Sequence, residues 1–126
     1  MSAVLSWALS LVRGAVCIFA LVGLAGPAIA EDICVKYHKC ISLDKFDCNF
    51  VTRSSFITRT CYAEPVRYLI IVLGKKNTAY HYCDIPPEVV AEFRNARSMG
   101  GYYNENIIVR SNGGKFDCRK HPIPEL

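Results

Sequence analysis

The sequence predicts a disulfide-stabilised α+β domain, with a small three-stranded antiparallel sheet (a meander) and one packed helix. Three features indicate this class: strand-like runs separated by turn residues, a single amphipathic helical segment after them, and six cysteines within residues 31–126. A domain of this size buries a modest hydrophobic core, and disulfides are a common way to compensate.

The three strands are predicted at residues 55–62, 68–73 and 78–83. The first alternates two kinds of side chain, as does a strand whose two faces differ. The second, Tyr-Leu-Ile-Ile-Val-Leu, is apolar at every position, so we expect it to be the central, most buried strand. The Gly-Lys-Lys-Asn sequence at residues 74–77 predicts a hairpin turn before the third strand.

The segment Asp84-Ile85-Pro86-Pro87 is predicted to open a helix, because proline suits a first helical turn. Apolar residues then recur at helical spacing over residues 89–96. Gly100 is expected to end this helix in a left-handed cap. An aromatic loop at residues 102–104 and a short final strand at residues 107–110 complete the predicted order.

Residues 1–30 have the three parts of a secretion signal. A start with one positive side chain, Arg13, is followed by an uncharged apolar run at residues 15–25, and Ala28-Ile29-Ala30 supplies a cleavage pattern. Retention as a membrane anchor is the alternative, but glycine and proline interrupt the run before the roughly 20 apolar residues that a spanning helix needs. We therefore predict export to the periplasm or the extracellular space, with membrane contact only through an uncleaved signal.

An even number of cysteines in an exported domain indicates disulfides rather than free thiols. None of the six belongs to a closely spaced pair of the kind that binds zinc, so neither a metal nor a cofactor is predicted. The cysteines that remain after removal of the signal are Cys34, Cys40, Cys48, Cys61, Cys83 and Cys118.

Six cysteines permit fifteen pairings, and the sequence leaves the choice among them open. We favour a Cys48–Cys118 bond that joins the two ends of the domain and a Cys34–Cys40 bond that closes a local loop, which leaves Cys61 and Cys83. A bond between Cys61 and Cys83 would connect the first and third strands, about 9.5 Å apart in a flat sheet and beyond the roughly 7 Å limit between Cα atoms. It therefore requires strong twist, or a Cys83 displaced beyond the end of its strand. The predicted pairing is Cys34–Cys40, Cys48–Cys118 and Cys61–Cys83.

The formal net charge is +4, and basic and acidic residues are interspersed along the chain. A nucleic-acid-binding protein usually carries a clustered basic face. The charge pattern thus favours a mixed, solvated surface, and no nucleic-acid partner is expected.

An ordered series of short motifs runs through the predicted sheet and helix. It consists of Ser54-Ser55, Tyr62, Tyr80-His81-Tyr82, Pro86, Ala96-Arg97-Ser98-Met99-Gly100 and Tyr103-Asn104-Glu105-Asn106-Ile107. This series resembles the KTSC domain, a family named after the C-terminal domain of some lysyl-tRNA synthetases. The resemblance implies little about activity, because the family is a domain of unknown function for which RNA binding is only suggested, and exported proteins rarely meet RNA.

The resemblance covers residues 54–110. It leaves a cysteine-bearing N-terminal extension at residues 31–53, which we expect to pack onto the domain, and a C-terminal tail at residues 111–126 tied by Cys118.

The third strand carries the first group of candidate binding residues. Tyr80 and Tyr82 lie two positions apart and should project from one face, with His81 on the other. The tyrosines could stack on a ligand, or they could pack under the helix with their hydroxyl groups bonded at its edge. His81 could transfer a proton or could be an ordinary strand residue.

The end of the helix and the loop after it supply a second group, because polar and aromatic loop residues often contact ligands. The alternative is that they cap the helix and cover the sheet edge. These candidates are Arg97, Ser98, Tyr102, Tyr103 and Asn104.

No nucleophile motif is found, and enzyme activity stays open. We expect a non-catalytic binding module whose partner is a small ligand or another envelope protein. The alternatives are a small secreted hydrolase of the ribonuclease kind, using His81 or another of the three histidines, and a purely structural envelope protein.

Overall fold

The computed structural model describes residues 23–26, 29–109 and 114–126. Most of the predicted secretion signal, and Arg110 at the end of the predicted last strand, lie outside these residues. The strands are β1 (Asp32–Cys34), β2 (Cys40–Ser42), β3 (Asp47–Phe50), β4 (Ile57–Ala63), β5 (Tyr68–Leu73) and β6 (Thr78–Tyr82). The helices are a 3₁₀ turn (Glu64–Val66), α1 (Pro87–Asn95), α2 (Met99–Tyr102) and a π-helical turn (Tyr103–Ile107).

The main sheet is antiparallel, with strand order β3-β4-β5-β6. The predicted meander is present as β4, β5 and β6, and the uniformly apolar β5 is buried along most of its length, as expected. The predicted count of three strands is wrong, because β3 pairs with β4 from Asp47 opposite Tyr62 to Phe50 opposite Arg59. This strand lies in the extension, where four residues without clear alternation gave no strand pattern.

The helices cover one face of the sheet and form the larger hydrophobic core. Side chains from β4, β5 and β6 meet α1, α2 and the π-helical turn there. A bulge between Ile57 and Arg59 shifts the register of β4. It places Ile57 in this core, although strict alternation predicted Ile57 on the opposite face. The central members of this core are Leu69, Ile71, Val90, Phe93 and Ile107.

The N-terminal extension covers the opposite face, so it packs onto the domain as expected. Strands β1 and β2 form a separate antiparallel hairpin, and Val35 makes a parallel bridge to Ala79 of β6. The resulting second core contains Val35, Ile41, Leu43, Tyr68, Ile70 and Val72. Each face of the sheet is thus shielded from water by a different part of the chain.

The helical region departs from the prediction after Asn95. Helix α1 begins at Pro87, the last residue of the predicted opening segment, and ends at Asn95. Ser98 then caps a second helix by accepting a hydrogen bond from the Gly101 amide at 3.0 Å. Gly100 therefore lies inside α2 instead of forming a left-handed cap. Glycine is needed there because a Cβ atom would lie 2.5 Å from Cε1 of Phe56.

Two further predictions for this region are wrong for the same reason, which is that the helical backbone continues past Gly100. The expected aromatic loop at residues 102–104 is helical, and Ile107 ends the π-helical turn instead of opening a strand.

Three disulfides are present, as predicted, but only one of the predicted pairings is correct. Cys34–Cys40 closes the β1–β2 hairpin. Cys48 bonds to Cys61 because β3 places them opposite each other on adjacent strands, with Cα atoms 4.0 Å apart. Cys83 lies just beyond β6 and bonds to Cys118, whose segment runs alongside it through a hydrogen bond from the Cys83 amide to the Phe116 carbonyl at 2.8 Å.

Candidate functional site

A groove of about 840 Å³ runs along the outer edge of β6. This volume lies within the range of roughly 300–1,000 Å³ that is typical of small-molecule sites. Side chains from both faces of the sheet line it, because Tyr80 and Tyr82 project toward the helices and His81 toward the extension, as the alternation along the strand predicted. The lining residues are Lys36, Tyr37, His38, Tyr80, His81, Tyr82, Ile107, Ile108, Gly114, Asp117, Cys118, Arg119 and Ile123.

Three separate parts of the chain contribute to this groove: the loop between β1 and β2, strand β6 with the end of the π-helical turn, and the C-terminal segment. Disulfides fix the first and third parts, since Cys34–Cys40 closes the loop and Cys83–Cys118 ties the C-terminal segment to the end of β6. A loop closed at its base has few conformations to lose when a ligand binds. The groove is therefore largely preformed.

Two histidines lie next to each other in the groove. The ring centroids of His38 and His81 are 5.1 Å apart, and Nδ1 of His81 is 2.7 Å from the hydroxyl of the buried Tyr68. Burial lowers the pKa of His81 and the neighbouring His38 lowers it further, whereas Asp117 acts in the opposite direction. His81 is thus held toward its neutral form.

The hydrogen bond with Tyr68 is linked to the tautomer of neutral His81. Burial raises the pKa of Tyr68, so its hydroxyl keeps its proton. When that hydroxyl donates the hydrogen bond to Nδ1, the ring proton of neutral His81 lies on Nε2. The groove consequently gains an imidazole whose orientation is set by a residue of the central strand.

Lys36 lies between two aromatic side chains of the groove, the exposed Tyr37 and the half-buried Tyr80. Its Nζ lies 4.8 Å from the ring centroid of Tyr37 and 5.4 Å from that of Tyr80, within the range of cation–π contacts. It also donates a long hydrogen bond, 3.4 Å, to the Tyr80 hydroxyl. Tyr37 is 92% exposed, so its ring is available to a ligand.

The acidic side chain of the groove lining is already neutralised. Asp117 accepts hydrogen bonds from the side chain and the amide of Arg119, with a shortest distance of 2.5 Å. These contacts lower the pKa of Asp117 to about 2. The pair carries no net charge, which leaves Lys36 as the uncompensated fixed charge among the lining residues.

Tyr82 and Tyr103, two of the sequence-predicted binding residues, have a structural role. Their hydroxyl oxygens are 2.5 Å apart, and the two side chains are buried between the sheet and the helices. Burial is the main reason that the pKa of each is raised, so both hydroxyls stay protonated. The alternative interpretation, in which the strand tyrosines pack under the helix, holds for Tyr82, whereas the half-buried Tyr80 reaches the groove.

The structure does not bring the other candidates into the groove. Ser98 caps α2, and Tyr102 donates to Glu92 at 2.9 Å, a contact that with burial raises the pKa of Tyr102 to about 12. Arg97 and Asn104 are exposed and are absent from the lining. The third histidine, His121, also lies outside the lining and faces Asp84 and the Lys115 carbonyl.

Sequence reasoning missed the residues that the flanking segments contribute. Lys36, Tyr37 and His38 form the middle of the short loop that Cys34 and Cys40 enclose. A signal for these residues was available in the sequence. The loop between two cysteines predicted to form a disulfide contains a basic, an aromatic and an imidazole side chain, which are common in binding sites. Asp117 and Arg119 had no comparable signal, because their position depends on the Cys83–Cys118 bond.

A second, smaller cavity of about 140 Å³ lies beside β3. Its guanidinium groups already have partners: Arg53 donates to the carbonyls of Arg94 and Ala96 at 2.5 Å each, and Arg94 pairs with Asp47 at 2.7 Å. This cavity is therefore part of the scaffold. Within the described ranges, no group of three or more histidine, cysteine or acidic residues could hold a metal ion, and no helix is long and apolar enough to cross a membrane.

The fold and the groove together define a small disulfide-rich α+β domain with a site at one sheet edge. Residues 53–110 match the family model of the KTSC domain, which confirms the resemblance predicted from the sequence for that segment. The crystal structure of a KTSC domain protein from Yersinia pestis is similar, with 26% sequence identity and a TM-score of 0.45, over 49% of this chain and 84% of that chain. No curated protein matches the chain.

The segment that matches the KTSC family model contributes only some of the residues that line the groove. Tyr80, His81, Tyr82, Ile107 and Ile108 lie within the matched segment, whereas the remaining lining residues come from the segments before and after it. The site is thus a composite of the KTSC domain and its disulfide-bonded flanks.

Proposed function

We propose that this protein is a non-catalytic binding module that takes a small ligand into the groove along β6. The observation that carries this proposal is the groove's construction from three chain segments, two of them fixed by disulfides. A concave, preformed site with aromatic, apolar and polar groups suits a small molecule better than the flat surface of another envelope protein.

The proposed place of action is an oxidising compartment reached by export. Three disulfides support it, since such bonds persist outside the reducing cytosol. The boundary at residue 30 is also supported: Glu31 pairs with Arg59 at 2.6 Å and its carbonyl accepts from Leu43, whereas Ile29 is 94% exposed. These contacts support a domain that starts at Glu31, the first residue after the predicted cleavage site. Mass measurement of the exported protein tests this, because the expected chain starts at Glu31 and contains no free thiol.

Ligand binding is tested by screening a fragment library against the isotope-labelled protein by NMR. Fragments that bind should shift resonances of Tyr37, Tyr80 and His81 together. Replacement of Tyr37 by alanine should weaken these fragments, whereas Phe50→Ala should not. Phe50 is a matched control, since it is a 77% exposed aromatic residue on the opposite edge of the sheet. Fragments that bind elsewhere, or equal losses in the two variants, would contradict the proposal.

A histidine-dependent hydrolase is the second candidate, and the adjacency of His38 and His81 favours it. Two neighbouring imidazoles resist simultaneous protonation, so one could accept a proton from an attacking hydroxyl while the other donates one to the leaving oxygen. Cleavage of an RNA oligonucleotide by the wild-type protein, lost in both His38→Ala and His81→Ala, would establish this activity and displace the non-catalytic proposal.

A further inference from the structure

We propose, as a step that rests on the function proposed above, that the part of the groove at Lys36, His38 and His81 binds the oxyanion of its ligand, a phosphate or a carboxylate, and takes up a proton on the histidine pair when it does so. The ligand is then an acidic small molecule whose apolar or aromatic part lies against the tyrosines and isoleucines of the same groove.

The charge of the groove favours an anion. The negative charge of Asp117 is paired with Arg119. Lys36 lies near the rings of Tyr37 and Tyr80 and has no carboxylate partner among the described residues. Lys36 is exposed at the margin of the groove, so its ammonium group attracts an oxyanion through solvent and the attraction weakens as salt is added.

The neutral tautomer of His81 adds a donor to this charge. With Nδ1 occupied by the Tyr68 hydroxyl at 2.7 Å, the ring can offer Nε2–H to a ligand oxygen. Protonation would turn this into a charge-assisted hydrogen bond, which is roughly twice as strong as a neutral one.

The surroundings of His81 oppose its protonation while the groove is empty. His81 faces Tyr68 of β5 and His38 of the hairpin loop, with Asp117 as the acidic group on the C-terminal side. Lys36 and Arg119 are the other charged groups of the same lining, and Arg119 is paired with Asp117. Burial, and after it the neighbouring His38, outweigh Asp117 and lower the pKa of His81.

A bound oxyanion reverses this balance. A negative charge within about 4–6 Å of a histidine favours the protonated form and raises the pKa. A rise of one unit in a histidine pKa corresponds to a tenfold gain in affinity once the pH falls below both values. We therefore expect an oxyanion to bind more tightly at pH 5.5 than at pH 7.5, by up to about tenfold for a rise of one unit.

Sulfate and formate are suitable probes, because neither changes its own charge between these two pH values. Sulfate represents the tetrahedral oxyanion and formate the planar one, so the stronger of the two distinguishes a phosphate ligand from a carboxylate ligand. Each is titrated into the wild-type protein at constant ionic strength with chloride as the balancing anion, and the ring resonances of all three histidines are followed by NMR.

The expected result is a rise in the pKa of His38 and His81 together with the tighter binding at pH 5.5. His121 should not respond, since it lies outside the groove beside Asp84. Lys36→Met should weaken the anion several-fold while keeping the aliphatic stem, and Lys75→Met, at the exposed hairpin tip, is the matched control.

Two results would overturn the inference: equal responses of His121 and the groove histidines, or affinity that is the same at both pH values. If fragments bind the groove but neither anion does, the oxyanion site is refuted and the binding module remains. If neither fragments nor anions shift groove resonances, both proposals fail. His38→Gln provides a second variant, because the exposed His38 can be replaced without disturbing the core.

Discussion

Replacing Tyr82 by phenylalanine removes one partner of a buried hydroxyl pair. The oxygens of Tyr82 and Tyr103 lie 2.5 Å apart, the side chains are 9% and 5% exposed, and neither hydroxyl has another partner in the described part of the chain. The variant leaves the Tyr103 hydroxyl buried and unpaired, which costs about 1–3 kcal/mol of unfolding free energy. Tyr103→Phe should cost a similar amount for the same reason.

The double variant separates the hydrogen bond from the packing. With both hydroxyls gone, no buried polar group is left unpaired, so the loss should be smaller than the sum of the single losses by about 1–2 kcal/mol. Urea unfolding followed by circular dichroism, with the disulfides intact, measures the four free energies of this cycle. Tyr80→Phe is the control and should change stability by no more than about 0.5 kcal/mol, because its hydroxyl is half-exposed.

Additive effects in this cycle would show that the two hydroxyls are not paired, and would contradict the structural role assigned to Tyr82. A neutral Tyr82→Phe variant would do the same. Either result would return Tyr82 to the set of ligand-binding candidates, since its hydroxyl would then be free to serve the groove that it lines.

The remaining predictions concern a close contact and two titrating groups. Gly100→Ala should destabilise the domain by about 1–3 kcal/mol, because the new methyl group would meet the Phe56 ring at 2.5 Å; thermal unfolding measures this, and an unchanged melting temperature would contradict the contact. Asp117 has a pKa lowered by Arg119 from 3.8 to about 2, so its contribution to stability is lost as the pH falls between these values; Arg119→Gln should return the carboxyl pKa, measured by NMR, toward 3.8. Burial lowers the pKa of His81 in the folded protein. Its contribution to the free energy of unfolding is therefore present above the unfolded-state pKa of about 6.5 and is lost as the pH falls toward the folded-state value. A His81→Gln variant should therefore lose less stability than the wild type on acidification from pH 7.5 to 5.5, and an equal loss would refute the buried, neutral state of His81.

Much of the secondary structure of the KTSC segment could be predicted from the sequence, because it depends on residues that are close together in the chain. The apolar run at β5, the Gly-Lys-Lys-Asn turn and Pro87 each determine the backbone within a few residues, and all three are where the sequence predicted them. The error after Asn95 concerns Gly100, which is a typical helix terminator by local rules but lies inside α2, the helix that Ser98 caps. Glycine is needed there for a reason distant in sequence, because the Phe56 ring leaves no room for a Cβ atom.

The flanking segments could not be read in the same way, because their structure depends on what they pack against. Strand β3 forms against β4, and the lining residues Asp117 and Arg119 are placed by the bond between Cys83 and Cys118. Six cysteines predicted three bonds, but six permit fifteen pairings, and distance in the folded chain selects among them.

By itself, the sequence determined the α+β class, the central strand and the opposite faces of Tyr80 and His81, because periodicity encodes these features. Its ordered motifs also carried the resemblance of residues 54–110 to the KTSC domain. Only the tertiary structure decided the fourth strand, two of the disulfide partners and the groove. The groove brings Lys36 and His38 to His81 across more than forty positions of sequence. The burial of both sheet faces and the disulfide bonds bring these residues together in the folded chain. A local sequence pattern cannot predict a contact of this kind.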